Sequence, residues 1–184
     1  VRTRARGALA LTVTLSVLLV AGGVAAWSLG YRSFDGVAPA GAAPAVPARG
    51  AGSPVAELSA DARAHPAGEA VRAQLQRYFD AINAHDYAAW TTTVVRQRVE
   101  QQPRTQWLAS LDTTTDGTIR IDRVVDLDGG RVLALVRFIS TQDLSDAPAG
   151  LQAARICWRG ALPMSGSPLR LEVGNAGSLL GAAC

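Results

Sequence analysis

The strongest constraint on this chain is a run of 25 residues without a charge, from Gly7 to Tyr31. Arg2, Arg4 and Arg6 precede it, and Arg32 ends it. As a helix the run would reach roughly 37 Å, enough for a hydrocarbon layer of about 30 Å. Its densest part is Ala8 to Ala21, and Trp27 and Tyr31 lie one helical turn apart near the far end. Aromatic pairs of this kind anchor a span at the lipid headgroups. Three arginines before the run and one after it orient the N-terminus to the cytoplasm and the remainder outside. The expectation is a basic cytoplasmic flank over 1–7 and a single-pass transmembrane signal anchor over 8–31. The alternative is a secretory signal peptide cut near Ala26, after the small residues Val24-Ala25-Ala26, which would release the rest as a secreted protein. The length of the run and its aromatic end favour the anchor.

The remaining charge is balanced. All 18 basic residues are arginine, against 15 acidic ones. From Glu69 onward there are 12 of each, so the net +3 belongs to the N-terminal flank and the linker. Phosphate binding needs clustered cations that release counterions. No such cluster occurs, and a nucleic-acid partner is not expected.

Residues 32–67 read as a linker. Of the 21 residues from Gly36 to Ala56, 16 are Ala, Gly or Pro. Such a composition makes a semi-extended spacer. A short helical turn is predicted around Ala56–Arg63, and His65, next to Pro66, is read as solvent-exposed.

Residues 68–184 are long enough for one core. Val71, Leu75, Tyr78, Phe79 and Ile82 mark one helix face. That helix ends near Asn83-Ala84-His85, and Asp86 is suited to cap a short second helix through Trp90. A third is predicted over Arg104 to Leu111, with Pro103 at its first turn. The period then changes. Ile119, Ile121, Val125 and Leu127 nearly alternate, Asp128-Gly129-Gly130 makes a hairpin turn, and Val132 to Thr141 reads as a long strand. Thr141 to Gly150 reads as a loop. Further strands are predicted over Ala153 to Leu162 and Leu169 to Val173. Helices followed by antiparallel strands is an α+β order.

The run VRAQLQRYFDAINAHDYAAW (71–90) resembles the opening helices of nuclear transport factor two-like domains, the superfamily of SnoaL-like cyclases and ketosteroid isomerase. STQDLSDAPAG, CWRG and the final Cys, within 140–184, resemble membrane-anchored or secreted actinobacterial domains of this kind. The resemblance implies a cone. Three N-terminal helices would pack on a curved antiparallel sheet of about four strands, often as a homodimer, with a pocket at the wide end.

Cys157 and Cys184 both lie beyond the apolar run. An even pair in an oxidising compartment favours a disulfide over two separate thiols. Alternation puts Cys157 on the face opposite Ile156 and Trp158.

Candidate pocket residues are Tyr78, Trp90, Trp107 and Arg137. Arg137 interrupts an otherwise apolar strand. If buried it needs a partner such as Asp126 or a bound anion; at a strand end it would be solvated. His85 reads as a turn residue, and the aspartates between 112 and 146 as solvated turns balanced by arginine. No nucleophile elbow, phosphate-binding glycine loop or zinc-helix motif occurs, so no cofactor or metal is expected. The acid and Tyr set of ketosteroid isomerase does not map onto this chain. Two functions are open to such a domain. One is an anchored extracytoplasmic binding or assembly module without catalytic activity, for an envelope protein partner. The other is a small pocket enzyme, an isomerase, dehydratase or cyclase, acting on an apolar ligand. An interior filled by Phe79, Trp107 and Trp158 would favour the first.

Overall fold

A computed structural model of the chain describes residues 46–175 and 177–184. The flank over 1–7 and the expected anchor over 8–31 lie outside the described residues. Among those residues no helix is long and apolar enough to cross a membrane.

The described part is α+β, with five helices and a mostly antiparallel sheet. In chain order the elements are β1 (Glu57–Leu58), α1 (Ala60–Ala64), α2 (Gly68–Asn83), α3 (Tyr87–Thr93), α4 (Arg96–Gln101) and α5 (Arg104–Leu111). They continue as β2 (Thr115–Leu127), β3 (Arg131–Thr141), β4 (Arg155–Ser165), β5 (Arg170–Leu171) and β6 (Leu179–Ala183), with a short 3₁₀ turn at Leu144–Asp146. The sheet order is β1-β2-β3-β4-β5, and β6 joins the free edge of β4 beside β5. Among these strands only β1 is parallel to its neighbour.

The strongly patterned elements form where the residues predict them. Asp86 caps α3 by accepting a hydrogen bond from the Ala89 amide at 2.9 Å. His85 takes φ 51° in the preceding turn and is exposed. Gly129 and Gly130, with φ 75° and 71°, turn β2 into β3. The core lies between α2 and one face of the sheet, where Val71, Leu75, Phe79 and Ile82 meet Ile121, Ala134, Val136 and Phe138.

Three elements depart from expectation. Within the described part of 68–184 four helices form, not three, because α4 adds a short helix, while α1 lies where a helical turn is predicted around Ala56–Arg63. Among the described residues six strands form, not about four, because β1 and β6 add backbone ladders to β2 and β4. The stretch read as spacer is also part of the fold from residue 46. Ala51, Ala56, Leu58 and Ala62 are buried. The physical reason is that a side-chain-poor segment still carries carbonyls. Arg155 donates to the carbonyls of Pro47 and Gly50, and the Thr118 amide and hydroxyl donate to those of Ser53 and Ala51. Thr118 is itself held at φ 49°, rare for a β-branched residue. Gly117 lets the segment approach, since a Cβ there would meet the Ala51 and Gly52 carbonyl oxygens at 2.8 and 2.7 Å. His65 is likewise mostly buried rather than exposed. Its Nδ1 accepts from the Ala67 amide, and its Nε2 lies 3.3 Å from Asp126.

Candidate functional site

The inner face of the sheet is closed by aromatic packing. Trp90 and Trp107 are 0% and 1% exposed, with ring centroids 5.6 Å apart, and Tyr87 stacks on Trp90. Phe79 packs on Phe138, and Phe138 stacks on Trp158 across the β3–β4 pair. These rings fill the space between the sheet and the helices that cover it. The Trp90 indole N–H is buried without a partner.

Beside this packed centre lies a polar network. Asn83, at the end of α2, bonds both backbone groups of Asp116: its side-chain oxygen accepts from the amide at 2.7 Å and its nitrogen donates to the carbonyl at 3.0 Å. This ties α2 to the start of β2. Ser140 on β3 donates to the Asp116 carboxylate, and the Trp158 indole donates to the Ser140 hydroxyl at 2.9 Å. Burial pushes the Asp116 carboxyl up from 3.8 to about 6, partly offset by the Ser140 hydrogen bond. Sequence pattern groups the aspartates together as solvated turn residues, and Asp116 departs from that expectation. The strand start turns it inward opposite Ser140.

The opening of the fold is a cleft of about 450 Å³ between α2, α4 and the far end of the sheet. Phe79, Phe138 and Leu162 form its floor, and Leu179, 43% exposed, its apolar rim. Tyr78 and Arg98 form one polar wall. The Arg98 guanidinium donates to the Tyr78 hydroxyl at 2.9 Å and lies 5.3 Å from the same ring's centroid. Glu172 stands elsewhere on the lining and pairs with Arg131 at 3.3 Å.

Of the four pocket candidates, the structure therefore places only Tyr78 in the cleft. Trp90 and Trp107 belong to the core. Arg137 lies on the opposite face of the sheet, on the interior strand β3 rather than at an edge. It donates two hydrogen bonds to Asp122, at 2.6 and 2.8 Å, and Arg120 adds a third at 3.1 Å. The partner is Asp122 and not Asp126: alternation puts Asp122 on the face of Arg120, which pairs with Arg137, and the irregularity in β2 between Ile121 and Arg123 sets Asp126 opposite Val132, on the other face. The hydrogen bonds to Asp122 raise the pKa of Arg137. Nothing in the sequence singles out Arg98. Its helix, RQRVEQ, has no apolar period that would orient it. Cys157 and Cys184 are disulfide-bonded, which pins β6 to β4. Among the described residues no group of three His, Cys, Asp or Glu side chains is placed to hold a metal.

No family model, curated protein or solved structure matches the chain.

Proposed function

We propose that this is a membrane-anchored, extracytoplasmic binding module without catalytic activity, which takes its ligand or envelope partner at the cleft lined by Tyr78 and Arg98. The observation that carries this reading is the filled interior. An isomerase or cyclase of this architecture needs a deep pocket in which polar groups with shifted pKa values converge on substrate. Here Phe79, Phe138, Trp90 and Trp107 occupy that volume. The carboxylate with a raised pKa, Asp116, bonds Ser140 in the core and is not part of the cleft lining. A helical layer followed by a long antiparallel meander also supports a cone of the nuclear transport factor two-like type, joined to the membrane by the segment before residue 46.

The test is chemical-shift mapping with an uncharged aromatic fragment such as 2-naphthamide. Binding at the cleft moves resonances of Tyr78, Phe138 and Leu162 and leaves the indole N–H signals of Trp90 and Trp107 in place. Shifts centred on Trp90 and Trp107 would mean the interior opens to ligand, and the enzyme reading would replace this one.

A further inference from the structure

We infer that the cleft selects a small apolar carboxylate, such as an aryl or short-chain acid, with Arg98 as the group that holds the anion. The inference rests on the reading of the cleft as the binding site and adds the chemistry of the molecule that enters it.

Three observations converge. The first is an unspent cation. A guanidinium carries five N–H donors, and Arg98 commits one, to the neutral hydroxyl of Tyr78. No carboxylate among the described residues forms an ion pair with it. By contrast, Arg131, Arg137 and Arg120 each meet an acid.

The second is preorganisation. Arg98 is not a free surface chain. The Tyr78 ring lies within cation–π range and the Tyr78 hydroxyl fixes one nitrogen. The side chain is half-buried, so the remaining donors are held in one orientation beside the cavity. A planar fork fixed this way matches the two oxygens of a carboxylate.

The third is the composition of the rest of the lining. Phe79, Phe138, Leu162 and Leu179 offer apolar surface to the body of a ligand. The acid on the lining, Glu172, is neutralised by Arg131 and does not oppose a negative ligand. The volume, about 450 Å³, admits a bicyclic acid with room to spare. A polyanion would not fit this arrangement, because one cation and an apolar floor leave its further charges without partners.

The experiment compares 2-naphthoate with 2-naphthamide, which share a ring system and differ in charge. Isothermal titration uses the full chain in discs of zwitterionic lipid, with empty discs as the partition control. Wild type is expected to bind the acid about 30-fold more tightly than the amide, the scale of one charge-assisted hydrogen-bonding pair. Arg98→Gln removes the charge and is expected to bring the two ligands within about 3-fold of each other. Arg98→Lys keeps the charge without the fork and is expected to retain part of the preference. Leu162→Trp fills the floor and weakens both ligands. Circular dichroism and the melting temperature check that each variant folds. Equal affinity for acid and amide in wild type, with both lost in Leu162→Trp, overturns the carboxylate inference and leaves the cleft as a binding site. Failure of both ligands to bind, or binding indifferent to Leu162→Trp, removes the cleft reading and this inference with it.

Discussion

Asp116 gives the most direct measure of the polar network that joins helices to sheet. The residue is 4% exposed, and burial moves its pKa from 3.8 to about 6. A raised folded-state value means the native protein binds the proton more tightly than the unfolded chain does. Protonation therefore favours folding. The stabilisation is absent above about pH 6, grows as pH falls through that value, and is complete below the unfolded value of 3.8. The full difference is worth about 3 kcal/mol, and roughly half of it should appear between about pH 7.5 and about pH 5. The perturbation is Asp116→Asn, which keeps an oxygen to accept from Ser140 and removes the charge. Urea unfolding followed by tryptophan fluorescence is the assay, run at both pH values for wild type and variant. Every other titratable group is common to both proteins, so the difference between the two slopes isolates Asp116. Wild type should gain about 1.5 kcal/mol more on acidification than the variant does. At about pH 7.5 the variant should be the more stable of the two. Parallel pH slopes, or a variant destabilised equally at both pH values, would refute the account of a buried, solvent-starved carboxylate.

Other expectations rest on the same structure. Breaking the Cys157–Cys184 bond, whose ends are 27 positions apart in sequence, should cost about 3.5 kcal/mol by chain entropy and lower the melting temperature by roughly 10 °C under reductant. Trp107→Ala should cost about 3–5 kcal/mol in denaturant unfolding, because the cavity opens among Trp90 and Tyr87. Trp90→Phe removes the buried, unpartnered indole N–H and should cost less than about 1.5 kcal/mol. Gly117→Ala should lower the melting temperature and speed proteolysis near Gly52, since its Cβ meets the backbone of Ala51 and Gly52. Fractionation with N-terminal sequencing should find the uncleaved chain in the membrane; a mature start at Trp27 would end the anchor reading.

Local chemistry is legible wherever one residue type repeats at a fixed period. Val71, Leu75, Phe79 and Ile82 announce α2, and Asp86 announces its own cap, because both effects act within one or two turns of chain. The alternation of Ile119 and Ile121 and the glycine pair after Asp128 likewise mark a hairpin. Charge balance identifies the N-terminal flank and linker as the source of the basic excess. Cys157 and Cys184 can be paired because only two cysteines exist.

What the sequence could not convey lies in contacts between distant segments. The carbonyls of Pro47, Gly50 and Ala51 carry no side-chain signature, so a stretch rich in Ala, Gly and Pro reads as a free spacer. Arg155 and Thr118, brought close by the sheet, and Gln76 on α2 turn it into part of the domain. The irregularity in β2 after Ile121 decides that Asp126 does not meet Arg137, because slipping one residue reverses every side chain beyond it and leaves Asp122 as the acid on that face. Sequence pattern can name Tyr78 as an aromatic on a helix face. It could not say that Arg98 would come to rest on that ring, nor that Trp90 and Trp107 would fill the interior instead of lining a pocket. Periodicity assigns a residue to a face; whether the space before that face is filled or open depends on how volumes from α2, α3, α5 and the sheet add up, and that is settled only when the elements pack.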